Sequence, residues 1–216
     1  MLLFGDPTIE AIIGILLAVI VGLTIHEYAH NLVAHAMGDP TPAEQGRLTL
    51  DPRVHVNWMG LAMFVLIGFG ILGQAPLAPS RMRNPRWGHV AAVAAGPISN
   101  LLLAAVFGIA FRLAWPIIAE YELERALTVA NILVVFNVLL FVLNSIPLFP
   151  LDGWHIVGAA LPPALGDRWR STRGQRISQF IFLGLIVLSF VGQPVNILGM
   201  LITRPVAAIA RFLMGV

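Results

Sequence analysis

The chain has 216 residues, of which 58% are hydrophobic and only 11% are charged. A soluble domain has about a quarter charged residues, so this composition excludes an ordinary soluble protein and indicates an integral membrane protein. We expect residues 1–216 to form a single membrane-embedded domain, because the length leaves no room for a soluble domain of ordinary size. The chain has no cysteine, which excludes disulfides, iron–sulfur clusters and thiolate zinc sites.

The formal net charge of +2 comes from 13 basic residues, all of them arginine, and 11 acidic residues. No basic cluster is interleaved with aromatic residues, so the sequence indicates no nucleic-acid partner. Asp6 and Glu10 stand where a signal peptide would be positively charged. We therefore expect the first apolar segment to be retained as a membrane helix.

Four apolar segments reach the roughly 20 residues that a membrane-spanning helix needs. They comprise residues 9–37, 90–116, 126–146 and 177–203, and Gly192-Gln193-Pro194 interrupts the last. A fifth run, residues 58–73, is shorter and rich in glycine, which weakens a helix. The sequence predicts an all-α polytopic membrane protein with about four spanning helices. Its core is expected over about residues 9–160, followed by the helix 177–203 and a short apolar tail.

The most specific pattern lies in the first predicted helix, where His26-Glu27-Tyr28-Ala29-His30 has the form H-E-x-x-H. On a helix the two imidazoles lie on one face, one turn apart, where they can bind one Zn²⁺. Glu27 can then take a proton from water as a general base. Ionisable side chains inside an apolar helix are costly in lipid, which favours a functional reason for them.

A catalytic zinc ion takes three protein ligands, so a third ligand must come from elsewhere in the chain. The best candidate is Asp152, shortly after the predicted span 126–146. Pro147 and Pro150 interrupt the helix just before it and free backbone groups that can pair with an extended peptide. Asn144 adds a donor and an acceptor to the same stretch.

Membrane topology decides whether the two motifs can meet. The two motifs can lie on the same side of the membrane only if an even number of membrane crossings separates them. The spans 90–116 and 126–146 supply two crossings. Residues 58–73 are therefore predicted to dip into the membrane and return. Most of the arginines outside the spans then share one side, which the positive-inside rule makes cytoplasmic; they are Arg47, Arg53, Arg81, Arg83, Arg86, Arg168, Arg170, Arg173 and Arg176. The zinc site is expected in the cytoplasmic half of the cell membrane.

Three motifs together resemble the site-2 protease family of intramembrane zinc metalloproteases. They are the HEYAH motif at 26–30, the AGPISN motif at 95–100, and the N-x-x-P-x-x-P-L-D-G motif at 144–153. Segments 46–55 and 83–87 also resemble a compact bacterial subgroup that has no PDZ or CBS domain. The resemblance covers about residues 9–160.

The resemblance implies one Zn²⁺ held by His26, His30 and Asp152, with Glu27 as the general base. It places Asn144 near the substrate peptide or the oxyanion. The implied reaction is hydrolysis of a peptide bond within or near a transmembrane segment of another membrane protein. That helix must unwind locally before water can attack.

Two other functions remain open at this stage. The same ligands would suit a membrane zinc transporter or a non-catalytic zinc-binding protein, although no internal repeat or acidic path is visible. An inactive scaffold for transmembrane segments is disfavoured by the intact Glu27.

The remaining polar residues have simpler explanations. Gly96, Pro97 and Asn100 are predicted mainly to pack helices, and the alternative role of Asn144 is to cap free backbone groups. His155 is close enough in sequence to Asp152 to support it. No functional role is assigned to the other histidines, which are His35, His55 and His89.

Overall fold

The computed structural model describes residues 8–67, 73–121, 123–191 and 197–215. In chain order its helices are α1 (Ile9–Ala36), α2 (Thr41–Glu44), α3 (Pro52–His55), α4 (Trp58–Ile67), α5 (Pro85–Glu120), α6 (Glu124–Ser145), α7 (Asp152–Ala160), α8 (Pro163–Arg170), α9 (Thr172–Val191) and α10 (Ile197–Met214). Helices α1, α5 and α6 are long and apolar enough to cross a membrane. They correspond to the first three predicted spans, and the predicted all-α class is confirmed.

Small residues bring the three long helices close together. A Cβ atom added to Gly22 of α1 would lie 2.9 Å from Asn137 Oδ1 of α6, so glycine lets these helices approach closely. Ala18 and Val19 of α1 are buried in a cluster with Phe136 and Leu140 of α6. This tight packing holds the middle of α1 rigidly against its neighbours.

Helix α10 packs against α5 and α6 in a second apolar cluster. Val206 and Ala210 are buried there with Phe111 and Val138. Many large apolar side chains elsewhere point outward, and Phe212 is 77% exposed. Exposed apolar surface of this extent is what a lipid-facing helix presents.

The predicted single segment 177–203 corresponds to two helices. Helix α9 begins earlier, at Thr172, and α10 continues through the predicted tail to Met214. Pro205 lies inside α10, where the loss of one backbone hydrogen bond is outweighed by the burial of Val206 and Ala210 against the long helices. The interrupting residues 192–194 lie outside the described residues. A count of about four spans stays a prediction.

The short apolar run 58–73 returns close to its own starting point. It begins with α4, and Gly73 at its end pairs with Val56 in an antiparallel bridge. Residues 68–72 lie outside the described residues. Because its two ends meet, the geometry supports the predicted dip, which itself stays a prediction.

Candidate metal centre

The two motifs meet at the centre of the molecule. His26 and His30 lie on consecutive turns of α1, and Asp152 is the first residue of α7. Asp152 Oδ2 lies 3.1 Å from His26 Nε2 and 3.4 Å from His30 Nε2. The two Nε2 atoms are 3.0 Å apart, and the three candidate ligand atoms all lie within 4.8 Å of one another. Residues 122 positions apart in sequence thus form one compact cluster.

Helix α5 fixes the orientation and tautomer of each imidazole. His30 Nδ1 donates to the Ala92 carbonyl oxygen at 2.9 Å. His26 Nδ1 donates to Asn100 Oδ1 at 2.6 Å. The Asn100 amide nitrogen donates to the Gly22 carbonyl oxygen at 3.0 Å, so Asn100 Oδ1 is the atom that accepts. With Nδ1 protonated in both neutral rings, each Nε2 presents a lone pair.

The cluster fits a divalent cation on its own chemistry. In the neutral tautomers, two Nε2 lone pairs and one carboxylate oxygen face one another within 3.4 Å. Asp152 Oδ2 is buried and accepts no hydrogen bond within the described part of the chain. Two imidazoles and one carboxylate form a ligand set that suits Zn²⁺ and leaves a position open for water or substrate.

Gly96 makes room for the imidazoles against α5. A Cβ atom there would lie 2.8 Å from His26 Cε1 and closer still to His30 Nε2. Any larger residue would push the rings out of place. Gly96 and Asn100, one turn apart, therefore position the ligands, which goes beyond the packing role that the sequence predicted for them.

Glu27 lies beside the cluster and is only 5% exposed. Its Oε2 atom has no hydrogen-bond partner among the described residues. A Cβ atom on Gly73 would lie 2.7 Å from Glu27 Cδ, so the returning end of the 58–73 segment covers this carboxylate closely. A buried carboxylate without a fixed donor is suited to exchanging a proton with a reacting water.

A cavity of about 500 Å³ opens onto the cluster. Glu27, His30 and Asp152 form part of its wall, and the other described lining residues are Gly73, Gln74, Ala75, Leu77, His89, Val93, Phe149, Pro150, His155 and Gln179. His89 and His155 reach it from α5 and α7, with ring centroids 6.3 Å apart. Burial lowers the pKa of His155, although the nearby Asp152 carboxylate opposes this.

The segment that carries Asp152 is held by contacts of its own. Phe149 N donates to Ser178 Oγ of α9 at 2.8 Å. A Cβ atom on Gly153 would lie 2.6 Å from the Ile146 carbonyl carbon, so glycine allows the chain to turn tightly into α7. The position of the third candidate ligand thus depends on residues outside the three long helices.

Asn144, His55 and His35 are not among the described residues that line the cavity. Asn144 Nδ2 donates to the Leu140 carbonyl oxygen at 3.0 Å. His55 Nε2 bonds the Thr49 carbonyl oxygen in the loop between α2 and α4. His35 is exposed at the end of α1.

Hydrogen bonds between buried asparagines link two of the long helices, which the sequence analysis did not predict. Asn100 Nδ2 donates to Asn137 Oδ1 at 3.1 Å, and both side chains are fully buried. Asn137 in turn donates to the Leu133 carbonyl oxygen of its own helix. This contact could have been predicted from the sequence, because each of two apolar helices has an asparagine in its middle, where an unpaired amide is costly.

The chain resembles several named bacterial proteins. YwhC of Bacillus subtilis, assigned by name to the zinc metalloproteases, is 35% identical over 178 residues, which cover 80% of each chain. Rip2 of Mycobacterium tuberculosis strain H37Rv, also named for that class, is 32% identical over 175 residues, 78% of this chain and 63% of Rip2. Rip2 of Mycolicibacterium smegmatis is 29% identical over 161 residues, 70% of this chain and 60% of that protein.

Neither a family model nor a solved structure matches this chain. The likeness to YwhC extends over most of both proteins, and the described structure brings together the histidines, glutamate and aspartate of the characteristic motifs. The chain belongs to the site-2 protease family of zinc metalloproteases.

Proposed function

We propose that this protein is an intramembrane zinc endopeptidase that hydrolyses peptide bonds within or near transmembrane segments of other membrane proteins. One observation carries the proposal: two buried imidazole Nε2 atoms and the Asp152 carboxylate converge beside Glu27, inside a helix apolar enough to span a membrane. A metal-binding cluster alone would not need the buried carboxylate next to it.

His26, His30 and Asp152 would hold one Zn²⁺ per chain. When bound there, the ion supplies Lewis acidity, which polarises a carbonyl group and makes water a stronger acid. Asn100 and the Ala92 carbonyl keep both rings in the tautomer that leaves Nε2 free to bind. Helix α5 thus supplies a hydrogen-bond acceptor to the Nδ1 atom of each histidine.

Glu27 is the proposed general base and acid. Its Oε2 atom takes a proton from the attacking water and returns it to the leaving amine nitrogen as the C–N bond breaks. Water adds one hydroxyl to the new carboxyl end and one proton to the new amine end, so the atoms balance. Burial beneath Gly73 keeps other hydrogen-bond donors away from this carboxylate.

The substrate segment is proposed to enter the cavity in an extended form. An intact helix has satisfied its own backbone hydrogen bonds and cannot present a carbonyl group to the site. The stretch around Pro147 and Pro150 interrupts helix between α6 and α7, and Phe149 and Pro150 line the cavity. Asn144, at the start of this stretch, is proposed to contact the substrate peptide or the oxyanion.

The proposed location is the cell membrane, with several spans and the zinc site in its cytoplasmic half. This arrangement requires residues 58–73 to return to the side from which they came, and the Val56–Gly73 bridge supports that course. Because the native chain has no cysteine, single cysteines can be introduced at Gln45, Ser80 and Glu120 and labelled with an impermeant maleimide. Gln45 and Ser80 should label from the cytoplasmic side and Glu120 from the other; opposite labelling of Gln45 and Ser80 would refute the dip.

Cleavage by a matched pair of proteins tests the function. Wild type and Glu27→Gln are purified in detergent, loaded with zinc, and incubated with a panel of transmembrane peptides. We expect wild type alone to cut within an apolar segment, while both proteins bind zinc equally. Zinc binding without cleavage by either protein would favour a non-catalytic zinc-binding or transport protein instead. Equal cleavage by both would contradict the role of Glu27.

A further inference from the structure

A second concave surface lies between α7, α8 and α9. It is a groove of about 570 Å³ that shares no described lining residue with the cavity at the zinc site. Its walls are apolar over most of their extent and include Leu148, Leu161, Leu165, Ile177 and Ile181. Leu165 is 52% exposed, and Ile177 and Ile181 are each 50% exposed, so the groove opens to the surroundings of the protein.

One charged residue, Arg168, lies among the described residues of this groove. Its guanidinium group forms no hydrogen bond or ion pair within the described part of the chain. Two other arginines differ, since Arg86 donates to the Ala159 and Ala160 carbonyl oxygens and Arg170 donates to Asp167. Arg168 therefore offers a full positive charge and several donors to a partner from outside.

Arg168 lies shortly before a predicted membrane segment in the chain. Arg168 and Arg173 precede the apolar part of α9, which begins at Ile177. Arginines that flank an apolar membrane segment lie at the level of the lipid headgroups, and the residues that follow lie at the level of the acyl chains. The groove thus combines one guanidinium group with apolar walls, as a binding site for an anionic amphiphile requires.

We propose that this groove binds an anionic phospholipid, with the phosphate on Arg168 and an acyl chain along Leu165, Ile177 and Ile181. Charge complementarity favours a negative headgroup over a zwitterionic one, because nothing in the described groove balances the guanidinium. The proposal rests on the predicted membrane segment that begins at Ile177 in α9, and it does not depend on peptide hydrolysis.

The lipid would contact the segment that carries the third candidate zinc ligand, on the side that faces away from the zinc-site cavity. Pro147, Leu148 and Trp154 belong to the groove, while Phe149, Pro150 and Asp152 of the same segment face the zinc-site cavity. Ser178, also in the groove, accepts the hydrogen bond from Phe149 N. The bound lipid is therefore expected to stabilise the native state, as any ligand specific to that state does.

Native mass spectrometry of the whole chain in detergent can test this binding. Wild type is titrated with phosphatidylglycerol and, separately, with phosphatidylcholine of the same acyl chains. We expect preferential retention of phosphatidylglycerol, and a loss of about tenfold in its binding in Arg168→Gln, as expected for one charge-assisted hydrogen bond. The matched control is Arg176→Gln, an exposed arginine on α9 that is not among the lining residues, which should bind as wild type does.

A second variant tests the apolar part without touching the charge. Ile181→Trp should fill the groove and reduce phosphatidylglycerol binding, whereas Phe180→Trp on the adjacent, 73% exposed position should not. Circular dichroism melts of all four variants check that each is folded. Equal retention of the two lipids, equal effects of Arg168→Gln and Arg176→Gln, or binding of a polypeptide in place of lipid would overturn the proposal. Inorganic phosphate that binds wild type as tightly as phosphatidylglycerol does would also overturn it, since the acyl chain would then contribute nothing.

Discussion

The two sides of the metal centre are built in different ways. The histidine side comes from α1, and each imidazole is held by a hydrogen bond from its Nδ1 to α5 and by close packing against Gly96. The carboxylate side comes from the start of α7, and Asp152 Oδ2 accepts no hydrogen bond within the described residues. Its position depends on the 146–152 turn and on one bond to Ser178.

The histidine side of the candidate site is preorganised, whereas the carboxylate side can adjust its position. Two candidate ligands fixed by packed helices would define where a metal can bind before it arrives, at little cost in side-chain entropy on binding. The third ligand lies on the cavity side of a short, helix-interrupting segment, where it can adjust to the metal and the substrate. Damage to the histidine side should therefore harm the centre more than comparable damage to the carboxylate side.

The largest effect is expected from Gly96→Ala. Its methyl group would displace both imidazoles, and misplacement by about 1 Å can lower activity about a hundredfold. Zinc content and peptide cleavage should fall together. The control is Gly184→Ala on α9, where an added Cβ has nothing within 4 Å and neither quantity should change. Wild-type zinc content in Gly96→Ala would show that the histidine side adapts freely.

Asn100→Leu should have the next largest effect. It removes the acceptor for His26 Nδ1 and frees the ring to change tautomer, which typically lowers metal affinity by about 10- to 100-fold. Zinc competition with a fluorescent chelator measures this affinity. Asn144→Leu is the matched control, because among the described residues that amide bonds to its own helix, and its loss should leave zinc affinity unchanged. A lower rate of cleavage in Asn144→Leu at full zinc occupancy would support its substrate role.

Ser178→Ala should act more weakly, through the carboxylate side alone. It removes the hydrogen-bond acceptor of Phe149 N. The lost free energy is about 1 kcal/mol, which corresponds to less than about tenfold in any equilibrium constant that depends on this bond. We expect a small drop in zinc affinity and an unchanged tautomer of His26, measured by nitrogen NMR of labelled histidine. A loss as large as that of Asn100→Leu would contradict the difference between the two sides.

The smallest effect concerns the loops beside the cavity, where Asp39 accepts hydrogen bonds from the backbone N–H groups of Thr41 and Ala78. Burial opposes ionisation of Asp39, but these bonds outweigh it and lower its pKa. A lowered pKa stabilises the fold above about pH 4 and the stability is lost as the pH falls further. The melting temperature of Asp39→Asn should lie below wild type at neutral pH, and the gap should close in acid. Asp167→Asn, at a site with 76% side-chain exposure, should show no such gap.

Local sequence patterns were enough to predict the fold class, three long helices and the candidate ligands. An apolar run of helix length has few alternatives in a membrane, and H-E-x-x-H fixes the relative placement of two side chains on any helix. Asp152 was predicted from the proline-interrupted segment that carries it, and the count of crossings then required residues 58–73 to return. These inferences needed no knowledge of how the helices pack.

Packing partners could not be predicted in the same way. Nothing local indicates that Gly96 faces two imidazoles, that Gly73 covers Glu27, or that Asn100 reaches Asn137, because each contact joins distant segments. The bounds of α9 and α10 also depended on tertiary contacts, since burial of Ala210 against the long helices carries α10 past Pro205. A glycine or an asparagine in an apolar helix indicates a close contact with another segment, but it does not indicate which segment.

The zinc content of purified protein tests the central claim most directly. Wild type, Glu27→Gln, His30→Ala and Asp152→Ala are dialysed against one buffered free zinc concentration, and the metal is measured by mass spectrometry. We predict one zinc ion per chain in wild type and in Glu27→Gln, little in His30→Ala, and a reduced amount in Asp152→Ala. No zinc in wild type, or wild-type zinc content in both ligand variants, would contradict a centre formed by His26, His30 and Asp152.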